Sequence, residues 1–94
     1  MPRKSLAEQL YGEEDEIADE EDSIWFLIYD FNDVKPHLNF WTNIHRLTAL
    51  EGVSRLIQYS AFQSNRRRIA MAAQKLAEYY GASTELFQAK KVNP

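Results

Sequence analysis

Ninety-four residues with 45% hydrophobic content and twelve aromatic rings are enough for one small domain with one core. The chain has no cysteine, which excludes disulfides and thiolate metal sites, and its longest apolar run, Ile24 to Tyr29, is far too short to span a bilayer. The net charge of -3 hides an asymmetry: residues 1–22 carry two basic side chains against nine acidic ones, while 23–94 carry nine basic against five acidic. A mildly basic domain behind an acidic leader keeps nucleic acid available as a partner.

The density of like charge in residues 1–22 predicts a disordered acidic tail. Its one helical signal lies around Ser5 to Tyr11, where Ser5 is a cap with Glu8 at the capping-box position and Gly12 is a stop. Such a leader serves as a solubiliser, as a partner-binding segment, or as a nucleic-acid mimic folded over a basic face. Arg3 and Lys4 run into acids where a signal peptide needs its apolar segment, so the chain reads as cytoplasmic and without a membrane partner.

The composition changes at Ser23, where the domain 23–94 is expected to begin. Ile24 to Tyr29 is continuous, β-prone and apolar, the pattern of a central strand buried on both faces, and it ends in the polar turn Asp30-Phe31-Asn32-Asp33. Pro36 suits the first turn of a helix whose stripe is Leu38, Trp41, Ile44, Leu47 and Leu50, widened by Phe40 and stopped by Gly52. Alternation from about Val53 to Gln63 predicts strand, and whether Val53–Ser64 is one bent strand or two short ones stays open. Ser64 or Asn65 then caps a helix over Arg66 to Tyr80, buried through Ile69, Ala72, Ala73, Leu76 and Tyr80 and closed by Gly81. A last strand follows from Ser83 to Val92, with Glu85, Phe87 and Ala89 opposed to Thr84, Leu86 and Gln88. This order calls for an α+β domain, a small sheet with both helices on one face.

Asp30 is the leading candidate for chemistry, a carboxylate at the carboxyl end of an otherwise apolar strand. Asp33 joins it if the loop curls, and two such carboxylates suit Mg²⁺ or Mn²⁺ as hard oxygen ligands. The plainer reading is that either Asp caps the next helix or makes an Asx-turn. A two-fold dimer would pair the carboxylates of two Asp30 residues around one metal ion able to activate water. Arg66, Arg67 and Arg68 are the densest basic cluster and sit badly for the helix dipole, so phosphate contact is the use considered for them, with Arg55 as a further phosphate contact. His37 and His45 are eight apart, which is the wrong spacing for a shared metal, and Ser60 has no supporting His–Asp pair.

Two segments together resemble the CRISPR-associated protein 2 family. Trp25-Phe26-Leu27-Ile28-Tyr29-Asp30-Phe31 is similar to its opening strand, and Arg55-Leu56-Ile57-Gln58-Tyr59-Ser60-Ala61-Phe62 to its second-strand motif. The resemblance implies a ferredoxin-like βαββαβ fold and a homodimer. It also implies a role as a metal-dependent endonuclease, or as the DNA-bridging scaffold that works with a CRISPR integrase subunit. The strand-end carboxylate, here Asp30, would be the metal-binding and catalytic residue, and Ser60 matches the motif serine. This sequence departs from the family pattern at Ala61, Gln63 and Ser64 and in its acidic leader. A toxin-like ribonuclease of the virulence-associated D type and a non-catalytic protein-interaction module are the competing readings.

Overall fold

The apolar run after residue 22 forms the strand β1 (Ser23–Asp30), and the sheet grows outward from it on both sides. The structure is a computed structural model that describes residues 4–15, 23–58, 60–90 and 92. Ahead of β1 lies helix α1 (Leu6–Glu13). After it come α2 (Leu38–Thr48), β2 (Ser54–Gln58), β3 (Ala61–Ser64), α3 (Arg67–Tyr79) and β4 (Ser83–Lys90). The result is a small α+β fold with a four-stranded antiparallel sheet in the order β2-β3-β1-β4 and three helices. None of the described helices is long and apolar enough to cross a membrane.

β1 pairs with β4 along its whole length, from Ser23 against Lys90 to Asp30 against Ser83. On its other side it pairs with β3, from Trp25 against Ser64 to Ile28 against Ala61. Strand alternation then sorts the side chains. Leu27, Tyr29 and Phe62 are buried against Phe40, Ile44 and Leu47 of α2 and Ile69, Ala72, Ala73 and Leu76 of α3. The opposite face is uncovered, with Ile28 48% and Phe87 49% exposed. The expectation that β1 is buried on both faces is therefore corrected, because the helices form a layer on one side only.

The segment left open in the sequence resolves into two strands. β2 and β3 form a hairpin reversing between Gln58 and Ala61 with Ser60 in the turn, and the register shifts between Leu56 and Gln58. Position 59 lies outside the described residues.

The helices start and stop for reasons that differ in part from the expected ones. α2 begins at Leu38 rather than at Pro36: the N-cap is His37, whose Nδ1 accepts the Asn39 N–H at 3.0 Å, so Pro36 stands just outside the helix. Its buried face is Phe40, Asn43, Ile44 and Leu47, while Leu38 is 74% exposed and Leu50 points outward beyond the helix end. Gly52 ends this region with φ +66°, and a Cβ there would collide with Asn65 Oδ1 and Arg66 Cγ. α3 begins one residue later than expected, with Arg66 as N-cap and no side-chain cap bond. The two expected caps work elsewhere. Ser64 Oγ accepts the Arg66 N–H, and Asn65 Oδ1 accepts the Val53 N–H. β4 ends at Lys90, short of the expected Val92.

The largest correction concerns the leader. Residues 4–15 are not a disordered tail; α1 is capped by Ser5, which accepts the Glu8 N–H and donates to Glu8 Oε1, so the capping box forms as the sequence predicts. Gly12 lies within the helix instead of ending it. Ala7 is fully buried, and Leu6, Leu10 and Tyr11 pack on the core. Local charge repulsion is outweighed here because Glu8, Glu13 and Asp15 are exposed and Glu14 is paired with Lys75, while the apolar residues face α2 and α3. The rest of the predicted tail, 1–3 and 16–22, lies outside the described residues.

Candidate functional site

At the carboxyl end of β1 the chain has to leave the sheet and enter α2. Asp30 organises that exit: its Oδ1 accepts the Asn32 N–H at 2.7 Å, an Asx-turn. Asn32 and Asp33 follow with φ of 55° and 67°, a left-handed conformation that Asn and Asp tolerate better than most residues. The Val34 N–H closes the turn on the Phe31 carbonyl, and Asn32 Nδ2 reaches Ser83 Oγ at 3.3 Å, which ties the loop to the start of β4. Beneath the turn Tyr29, Phe31 and Phe40 make mutual edge-to-face contacts with centroids 5.0 to 5.9 Å apart. This packing holds the strand end rigid.

Asp30 is exposed on the open side of the sheet and borders two shallow depressions. One, of about 300 Å³, also takes in Ile28, Ser83 and Glu85. The other, of about 290 Å³, contains Asp33, Pro36 and Ser60. Asp30 and Asp33 thus border one depression, and Ser60 joins them through the hairpin. The Tyr29 N–H donates to the Ser60 carbonyl at 3.0 Å, so the end of β1 and the β2–β3 turn are bonded directly.

The donor set is all oxygen, which suits Mg²⁺ or Mn²⁺ in kind. An ionised carboxylate accepts several hydrogen bonds, so the Asx-turn leaves Asp30 with coordinating capacity and fixes its direction. Among the described residues no group of three or more His, Cys, Asp or Glu side chains converges, so the described part of one chain supplies two carboxylates at most to such an ion.

The basic residues lie elsewhere. β3 runs antiparallel to β1 and delivers the chain to α3 at the Ser23 end of the sheet. Arg66, Arg67 and Arg68 therefore sit a helix length from Asp30, on the order of 20 Å for the thirteen residues of α3. None is a free cation. Arg66 packs over Gly52, Arg68 Nε donates to the Tyr11 carbonyl at 3.0 Å with its guanidinium 3.9 Å from the Tyr11 ring centroid, and Arg67 is likewise engaged. Arg55 is exposed and opposes Gln63, which opposes Phe26, which opposes Phe87, so it belongs to the open sheet face. A single chain thus does not bring together the expected metal carboxylates and the arginine cluster.

Sequence reasoning missed Ser83 and Glu85 at this site, since only the β1–β4 register puts them beside Asp30. It also passed over His37, a cap to α2 stacked on Tyr80 with centroids 5.8 Å apart. A displaced titration lies remote from Asp30: the Glu14 carboxylate, 2.6 Å from Lys75 Nζ, raises the Lys75 pKa, partly opposed by burial and helped by Glu13 and Asp15. Comparison with protein-family models, curated proteins and solved structures gives no significant match.

Proposed function

We propose that this chain is a nucleic-acid-binding homodimer of the CRISPR-associated protein 2 type, acting as a scaffold of the spacer-integration complex. The observation that carries this reading is the meeting of the two sequence motifs. Asp30, from the first, and Ser60, from the second, border one depression, and the Tyr29 N–H bonds to the Ser60 carbonyl across them. A ferredoxin-like fold goes with this reading. In its support, the elements from β1 to β4 run β-α-β-β-α-β, and the sheet order from the other edge is β4-β1-β3-β2, with α1 added on the helical side. The uncovered apolar face with Ile28 and Phe87 supports the homodimer.

A scaffold is preferred to an efficient Mg²⁺-dependent endonuclease because Asp30 already has a structural task in its turn and the arginines lie at the far end of the helical layer. When bound at Asp30 and Asp33, Mg²⁺ or Mn²⁺ would supply an activated water and charge neutralisation at a phosphate. The test uses labelled single-stranded RNA and double-stranded DNA with Mg²⁺ or Mn²⁺, comparing the intact chain with Asp30→Asn. Binding without cleavage in both supports the scaffold. Cleavage that disappears in Asp30→Asn replaces it with a nuclease, of CRISPR type or of virulence-associated D toxin type. Absence of binding and cleavage leaves a protein-interaction module on the same fold.

A further inference from the structure

The groove between α2 and α3 is filled by the chain's own acidic leader, and the contacts that hold it there engage basic side chains. Asn43, buried in α2, turns its Oδ1 to the Ala7 N–H at 3.0 Å while its Nδ2 donates to its own helix at the Asn39 carbonyl. A buried Asn at this place has one evident use, to receive α1. One turn on, the Tyr11 hydroxyl donates to Glu51 Oε2 at 2.7 Å, and the Tyr11 ring and carbonyl hold Arg68. Beyond the helix end, Glu14 pairs with Lys75. Arg68 and Lys75 are seven residues apart on α3, two turns along one face, so the leader covers a cationic stripe.

We propose that α1 with Glu14 is an intramolecular competitor for nucleic acid, so that α1 must leave α3 before Arg68 and Lys75 can contact phosphate. This rests on the nucleic-acid reading above and adds its regulation. The charges carry the argument: the leader is strongly acidic, the rest of the chain is basic, and the ion pair and cation–ring contact between them use groups that phosphate would otherwise engage. Two of the contacts holding α1, the Glu14–Lys75 pair and the Arg68–Tyr11 contact, are salt-sensitive and partly exposed, and they occupy the cations for which a polyanion competes.

The discriminating variant is Ala7→Asp in the full chain. It places a charge where the side chain is fully buried and so expels α1, yet it makes the protein more acidic. Simple electrostatics predicts weaker binding of nucleic acid, whereas uncovering predicts stronger binding. Fluorescence anisotropy with a labelled 20-nucleotide RNA and a 20-base-pair DNA, over a salt series, reads the affinity. Hydrogen exchange at the amides of α1 reads its docking. Tyr11→Ala, which is charge-neutral and removes both the ring over Arg68 and the hydroxyl bond to Glu51 that help to hold α1, serves as the second variant. The expected result is at least about tenfold tighter binding by both variants, a salt slope steeper by about one to two for the two released cations, and loss of α1 protection when the natural chain binds. Tight binding by the natural chain with α1 still protected overturns the competitor and leaves the nucleic-acid reading standing. Absence of binding by a variant whose α1 is released overturns both.

Discussion

Asp30 has two jobs that a single substitution can separate. As an Asx-turn acceptor it needs only an oxygen at Oδ1, which Asn also supplies; as a metal ligand it needs the charge. Asp30→Asn is therefore expected to keep the stability of the natural chain, while Asp30→Ala loses the hydrogen bond to Asn32 at a cost of about 1 kcal/mol, measured by urea unfolding. If Asn proves as costly as Ala, the turn depends on the charge, and loss of cleavage in the variant would then carry no information about metal. Gly52 is constrained more tightly. A side chain there meets a left-handed backbone and the side chains of Asn65 and Arg66 together, so Gly52→Ala is expected to cost more than about 1 kcal/mol. For a domain of this size that lowers Tm by at least roughly 4 °C, a shift that a thermal melt resolves. An unchanged Tm would mean that the α2–β2 connection yields easily.

Each element was legible in the sequence to the extent that its own periodicity determined it. β1, α3 and the alternation of β4 were readable because a run of apolar residues, or a 3.6-residue stripe, needs no knowledge of neighbours. The stripe of α2 departs from the expected one at Leu38 and Leu50, which keep the right spacing but lie at the ends of the helix, where they are exposed. Asn43, a polar residue in a buried position, was invisible because its reason is a backbone N–H thirty-six positions earlier. For the same reason α1 was half legible: Ser5 and Glu8 announce its start, but its place on α2 and α3 is a tertiary fact. At the site, Asp30 and Asp33 could be read locally, whereas Glu85 and the remoteness of Arg66–Arg68 depend on strand register and order.

That docking is coupled to pH through Lys75. Glu14 raises the Lys75 pKa only while α1 is in place, so the docked form holds the proton more tightly. The coupling is complete below the ordinary lysine value of about 10.4, and it is lost as pH rises through the raised value. Methyl chemical shifts of Ala7 are expected to move towards the undocked position over that alkaline range. In Lys75→Met this component should vanish. A Lys75→Met chain with the full alkaline shift would show that the ion pair does not help to hold α1.

At the scale of the molecule, the open sheet face determines how two copies would meet. Among the described residues it presents Ile28 and Phe87 with three charges near them: Arg55 on β2, and Glu85 and Asp30 towards the other side. Such a face is too apolar to leave uncovered and too nearly neutral to attract a phosphate backbone. β2 and β4 are opposite edges of the sheet, so a two-fold axis along the strands lays β2 of one copy over β4 of the other. Arg55 of each copy then comes near Glu85 of the second, two residues along in register. The expected outcome is a dimer by light scattering, which Phe87→Glu converts to a monomer of unchanged helicity. Arg55→Glu and Glu85→Arg should each weaken the dimer, and the double exchange should recover a substantial part of the loss because opposite charges again face each other. If Arg55→Glu leaves dimerisation intact but weakens nucleic-acid binding, Arg55 is a phosphate contact as the sequence suggested, and the two copies meet through another surface.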